Sequence, residues 1–252
     1  MTGKARAQQP KYQQIADVLR AAIESGAYRP GDRLPGENDL MATHRVARMT
    51  ARQALGVLQS EGIVEARKGA GVFVREFRPI RRRGIQRLAR ERWGSGLSVW
   101  ADESEDRELV VEHLGVGEEP VPEAVAPLLG VEPGAPVLVR RRRFVLDGKP
   151  VLVSTSYLPA ELVAGSAITR ADTGPGGTYA RLAELGAAPV RFREQVRARM
   201  PTRDEAERLA LAAGVPVVLV CRTAFAADRR VVEVNGMVMD AGSYILEYDF
   251  DA

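Results

Sequence analysis

Three helical patterns followed at once by two short strands around a glycine-rich basic tip occupy residues 10–75, and few folds accept that order. Tyr12, Ile15, Leu19, Ala22 and Ile23 recur at helical spacing, and Gly26 stops the pattern. The turn-rich Tyr28-Arg29-Pro30-Gly31-Asp32 and Leu34-Pro35 come next. The spacing then predicts a short helix over about 36–44 and a longer one over about 48–60, with Ala51, Leu55 and Leu58 inward. Glu61-Gly62 ends it. Residues 63–66 and 72–74 read as strands flanking Arg67-Lys68-Gly69-Ala70-Gly71. Helix, turn, helix, turn, helix, hairpin is the order of a winged helix-turn-helix.

Such a module presents the first turn of one helix to the DNA major groove, where side chains reach base edges. Arg48, Thr50 and Arg52 are placed near the start of the third helix, and an arginine can take guanine at two points. The Lys68-Gly69 tip is slim enough to lie along a groove or a phosphate. Charge agrees. Residues 1–92 carry 19 Lys/Arg against 9 Asp/Glu, and the remainder 17 against 24. A basic front joined to an acidic back is the outline of a nucleic-acid module attached to something else.

Residues 12–74 resemble the DNA-binding domain of the GntR family of bacterial regulators. The resemblance rests on Ala27-Tyr28-Arg29-Pro30-Gly31-Asp32-Arg33-Leu34-Pro35-Gly36-Glu37, on Arg48-Met49-Thr50-Ala51-Arg52-Gln53-Ala54-Leu55, on Glu61-Gly62, and on Lys68-Gly69-Ala70-Gly71-Val72-Phe73-Val74. It implies DNA contacts at Arg48, Thr50, Arg52 and Gly69. Where the family commonly has a DNA-contacting arginine after Leu-Pro-Ser-Glu, this chain has Asn38, which implies altered operator choice. The usual small polar cap before the recognition helix is Ala47, a loss of about 1 kcal/mol at that helix start.

The domain division expected is a disordered N-terminus over 1–9, the winged helix over 10–75, a linker over 76–92 with Pro79 and Arg81-Arg82-Arg83, and a second domain over 93–252. That domain alternates short strands and helices. Strands over 137–145 and 150–157 join at Asp147-Gly148, a strong hairpin signal. Strands over 105–114 and 190–200 and a hairpin over 217–240 add to the sheet. Thr202-Arg203-Asp204-Glu205 reads as a capping box opening a helix to about 213. The class is α+β, with an antiparallel sheet.

This half resembles the UTRA ligand-binding domain of the HutC subfamily, whose fold is similar to chorismate lyase. The carrying residues are Gly134-Ala135-Pro136-Val137, the arginine run before Asp147-Gly148-Lys149-Pro150, Ser156-Tyr157-Leu158-Pro159, Gly177-Thr178-Tyr179, residues 202–207, Arg222-Thr223-Ala224-Phe225 and Val232-Glu233-Val234. Alternation puts two of the consecutive Arg140 to Arg143 on each sheet face. Sugar-phosphate-binding relatives use an Arg-x-Arg pair on this strand. Counting back from Pro150 places it at Arg142 and Phe144; counting forward from Pro133 gives Arg141 and Arg143. The resemblance also implies effector contacts at Gly177, Tyr179 and Glu233. Ser154 and Met239 stand where the family has a pocket acid and a pocket tyrosine, so a ligand more apolar than a phosphosugar is as compatible as a phosphosugar.

The implied function is a homodimeric regulator, acting as a repressor released from a palindromic operator by a small-molecule effector. An architectural DNA-binding protein without effector and a lyase-like enzyme are the competing readings. A lone Cys221 allows no internal disulfide and fits a reducing cytoplasm. Only two histidines, His44 and His113, fall in different domains, so no metal site, cofactor or catalytic triad is expected. The longest apolar runs are too short to cross a membrane, and no leader pattern opens the chain.

Overall fold

The computed structural model describes residues 9–67, 69–76, 80–84, 88–95 and 107–249. Chain contacts divide it into two units: residues 1–78 with 211–215, and residues 79–210 with 216–252. The expected disordered segment lies, apart from Gln9, outside the described residues.

In the first unit, α1 (Lys11–Glu24), α2 (Glu37–His44) and α3 (Arg48–Ser60) precede the antiparallel pair β1 (Val64–Arg67) and β2 (Gly71–Val74). Ile15, Ala16 and Leu19 of α1 meet Ala51, Ala54, Leu55 and Leu58 of α3, and Leu34, Leu40, Val64 and Val74 close the core. Leu34 N–H donates to the Val72 carbonyl at 2.8 Å, tying the loop before α2 to the hairpin. The hairpin turns through Gly69 at φ +74°, a left-handed conformation that costs glycine no Cβ clash. The predicted order is the one found.

The second unit is built on a six-stranded antiparallel sheet. Its strands are β4 (Leu109–Pro120), β5 (Pro136–Leu146), β6 (Lys149–Pro159), β7 (Arg191–Arg199), β8 (Val217–Phe225) and β9 (Val231–Asp240), in the order β4-β5-β6-β9-β8-β7. On one face α5 (Ala126–Leu129) packs over Val137, Val139 and Val234. On the other, α6 (Ala160–Val163) and α7 (Gly177–Glu184) place Val163, Tyr179 and Leu182 against Leu138, Leu158 and Ala224, with Trp93 of α4 (Arg90–Gly94) beside them. A separate apolar cluster on that face holds Phe144, Leu146, Leu152, Val220, Met237 and Met239. This is the α+β, antiparallel-sheet class the sequence implies.

Three expectations change. Residues inside the stretch expected as a linker form β3 (Ile80–Arg83), which pairs in parallel with β10 (Tyr244–Glu247). Ile80 and Arg82 alternate inward there, so two inward side chains make a strand of what composition reads as a basic tether. The helix expected to reach 213 is only α8 (Arg203–Arg208); Ala210 takes a left-handed φ of +48° and breaks it. The strand expected from 105 begins at Leu109 and runs to Pro120. Among the described residues no helix is long and apolar enough to cross a membrane, and no group of three His, Cys, Asp or Glu is placed to hold a metal.

Candidate nucleic-acid interface and buried polar band

The third helix turns Ala51, Ala54, Leu55 and Leu58 into the core. Geometry then decides what the opposite face shows. Arg48, Met49, Arg52 and Gln53 are exposed, with Met49 at 61 %, whereas Thr50 is only half-exposed at the flank of that face. Of the three residues singled out on this helix, Arg48 and Arg52 share its outward side, four residues apart. Met49 and Gln53 belong beside them and are visible on a helical wheel centred opposite the buried residues. The helix starts at Ala47 without a side-chain cap.

The preceding helix supplies partners. Arg52 Nε and Nη2 donate to Glu37 Oε1 and Oε2 at 2.7 and 3.2 Å. Arg48 Nη2 donates to Asn38 Oδ1 at 3.1 Å, so Asn38 lies next to α3 and orients one of its arginines. Gly69 sits at the hairpin turn, and Lys68 lies outside the described residues. Arg67, one residue before it, stacks 4.4 Å from the Phe73 ring centre.

The second unit carries polar side chains where a sheet face is otherwise apolar. Strand alternation turns Leu138, Arg140, Arg142, Phe144 and Leu146 of β5 to the α7 side. Register places Arg140 opposite Ser156, Arg142 opposite Ser154, Ser156 opposite Asn235, Asn235 opposite Arg222, and Arg222 opposite Glu194. The result is a polar band crossing five strands between the two apolar clusters. Ser154, Ser156, Arg222, Asn235, Glu233 and Arg140 are all buried.

Hydrogen bonds run along it. Arg142 Nη2 donates to Ser156 Oγ at 3.2 Å, Asn235 Nδ2 donates to the same hydroxyl at 3.1 Å, and Ser154 Oγ donates to Asn235 Oδ1 at 2.9 Å. Arg222 donates to Glu194 at 2.9 Å and to the Tyr179 hydroxyl at 3.2 Å. Arg82 of β3 reaches the same Glu194 oxygen at 2.7 Å. Burial raises the Tyr179 hydroxyl pKa, reinforced by the Glu233 charge. Burial lowers the Arg142 guanidinium, while the Glu233 carboxylate opposes that shift. Glu233 Oε2 and Arg142 Nε are buried and have no hydrogen-bond partner. Buried polar groups without partners are costly, and a ligand offering one donor and one acceptor would satisfy both.

The structure thus gathers Arg142, Ser154, Tyr179 and Glu233 on one face. Arg141 and Arg143 point to the other, where Arg141 pairs with Glu119 and Arg143 with Glu112. Met239 is buried in the apolar cluster beside the band, and Gly177 opens α7 two residues before Tyr179. Arg140 is spent structurally: it donates to the carbonyls of Ile168, Arg170 and Ala171, the last at 2.8 Å. Arg82, Ser156, Glu194, Arg222 and Asn235 are band members that the sequence did not mark as site residues, although Ser156 and Arg222 stand in the motifs quoted above, because their place in the band is recognisable only once strand pairing is known.

Comparison with known proteins bears on both units. The family described as bacterial regulatory proteins, gntR family, matches residues 11–74, and the UTRA domain matches residues 104–244. The chain is 32% identical to an uncharacterised HTH-type transcriptional regulator of Streptomyces coelicolor, an alignment covering 96% of this chain and 93% of that protein. It is 26% identical to the HTH-type transcriptional repressor NagR of Bacillus subtilis, over 86% of this chain and 84% of that one. The crystal structure of PhnF from Mycobacterium smegmatis superposes with a TM-score of 0.57 at 26% identity, over 94% and 99% of the two chains. With the winged-helix order, the exposed arginines of α3 and these matches together, the chain belongs to the GntR family of bacterial transcription regulators, in the branch whose second half is a UTRA domain, and it is a regulator rather than an enzyme.

Proposed function

We propose that the chain is a cytoplasmic repressor that binds a pseudo-two-fold operator as a homodimer and leaves it when a small molecule occupies the polar band. The observation that carries the sensing half is the buried Glu233 Oε2 and Arg142 Nε without partners, a donor and an acceptor requirement on one sheet face. Arg142, Ser154, Tyr179 and Glu233 would meet the effector, with Gly177 setting the start of α7. Arg141 and Arg143, held by carboxylates on the opposite face, are left out of that set. Arg48, Arg52, Thr50, Gln53, Asn38 and the Lys68-Gly69 tip would meet DNA.

One winged helix reads few base pairs, and two related by symmetry read a palindrome. The name of NagR as a repressor supports the sign of regulation. The effector acts only if it binds the DNA-free arrangement better than the DNA-bound one.

The test is footprinting on DNA upstream of the protein's own gene, with a thermal-shift screen of metabolites to find the effector. Half-sites with pseudo-two-fold symmetry are expected, and the effector should lengthen no footprint but abolish it. A Glu233→Gln protein should keep the footprint and ignore the effector. A protein that stays monomeric at micromolar concentration and on DNA would end the dimer reading. An effector response unchanged in Glu233→Gln and Arg142→Lys would remove the band as the sensing site.

A further inference from the structure

The first turn of α3 bares one apolar side chain at the centre of the helix's outward face. At about 100° per residue, Met49, Gln53 and Gly56 lie within about 30° of the direction opposite the buried Ala51, Ala54, Leu55 and Leu58. Arg48 and Arg52 stand to one side of that stripe, the side on which α2 holds them through Asn38 and Glu37. Thr50 stands on the other side and is half-exposed. Gly56 adds no side chain to the stripe, and a Cβ there would meet nothing within 4 Å. The middle of the face therefore belongs to Met49 and Gln53, and the arginines flank it.

Met49 is the most exposed large apolar side chain among the described residues, and in the first unit only Val18 of α1 shares that condition. An apolar group in that position gains by being covered when the helix enters a groove. The major groove offers one apolar group to cover it, the 5-methyl of thymine. A thioether on an unbranched stem adapts to such a small target. We propose that Met49 is a specificity-determining residue that packs its thioether on a thymine 5-methyl group. The inference rests on the reading of α3 as the groove-facing helix, and it adds an apolar contact that neither arginine supplies. No charge takes part, so the contact governs which sequence is bound and leaves the salt response alone.

The full-length protein selects its operator from a pool of random duplexes, and each thymine of the selected half-site is then replaced by deoxyuridine. That change removes the methyl group and keeps every hydrogen-bonding edge. Affinity should fall about fourfold at one or two adjacent positions, the worth of one buried methyl group. Met49→Ala should bind the unmodified site about as weakly as the parent binds the deoxyuridine site, and should show no further loss at that position. Met49→Leu should keep the response. The urea midpoint of Met49→Ala and its salt slope on random-sequence DNA should match the parent's, because the side chain is exposed and uncharged. A pool from which no sequence is enriched would end the reading of α3 and this inference with it. A selected half-site that weakens with Arg52→Ala but contains no thymine, responds to no deoxyuridine, or responds equally in Met49→Ala would overturn the Met49 contact and leave α3 as the recognition helix.

Discussion

Glu37 on α2 grips Arg52 on α3 through both carboxylate oxygens, at 2.7 and 3.2 Å, and stands 3.6 Å from Arg48 Nε. The bond to Arg52 is the main cause holding the Glu37 carboxyl below its ordinary range, so the pair is ionised at neutral pH. Two of the cations the recognition helix would offer to phosphate are thus shared with one acid. Replacing Glu37 by Gln should tighten non-specific DNA binding and steepen the salt dependence by about one phosphate contact, roughly 0.9 in the log–log slope. Arg52→Ala should do the opposite and lose about 1–3 kcal/mol of operator discrimination. Fluorescence anisotropy at several salt concentrations reads both, and an Arg52→Ala protein with wild-type operator affinity would refute the assignment of α3.

Gln53 lies one residue beyond Arg52 on the exposed face of α3. A glutamine there matches adenine through N6 and N7. Gln53→Ala should relax preference at one base-pair position by about 1–3 kcal/mol and leave the salt slope unchanged, because no phosphate charge is lost. Binding to a set of single-base operator variants checks this. A uniform loss across all variants would mean that Gln53 serves affinity or folding and reads no base.

The first unit was largely legible from sequence because its signals are local. Helical spacing, Gly26, Gly62 and the Gly69 turn each specify a few consecutive residues. The face of the arginine run was not legible, and the reason is visible at one point. Phe144 pairs with Leu152 but Val145 pairs with Pro150, so Val151 is an extra residue in β6. Such a bulge shifts alternation by one between the start of β6 and the rest of the strand, so the face of the run cannot be carried across the hairpin by simple counting. Within β5 itself alternation holds, and the burial of Leu138, Phe144 and Leu146 turns Arg140 and Arg142 inward. Asn235 and Glu194 were illegible for another reason: their roles depend on Ser156 and Arg222, which lie 79 and 28 residues away.

Arg140 and Arg141 are chain neighbours with opposite duties. Arg140 is buried and feeds three carbonyls of the segment before α7. Its burial, with Arg142 adding like-charge repulsion, pushes its pKa down to about 10, so it stays charged at neutral pH. Arg140→Met should cost about 3 kcal/mol, since it strands buried acceptors that a charged donor had satisfied. It should also open residues 168–171 to proteolysis. Arg141 pairs with Glu119 at the surface, and Arg141→Ala should cost less than about 1 kcal/mol. Urea unfolding of the two variants decides it; equal losses would contradict the inward and outward placement.

Glu205 anchors α8 twice. Its carboxylate accepts from Thr202 N–H at 2.8 Å within a capping box, and from both terminal nitrogens of Arg199 at 2.6 and 2.7 Å. Those bonds, the one to Arg199 foremost, hold its pKa at about 2, against about 4.3 for a glutamate in an unfolded chain. A depressed folded-state pKa gives stability that is complete above the unfolded value and drains away as the pH falls toward the folded one. Glu205→Gln keeps the shape and removes the charge. It should be less stable than the parent by about 1 kcal/mol at pH 7, part of the ion pair being solvent-screened. The gap should hold to about pH 5 and narrow between there and pH 3.5. Urea midpoints of both proteins across that range measure the gap directly, and a difference that stays constant down to pH 3.5 would show that the charge of Glu205 contributes nothing to the stability of this unit.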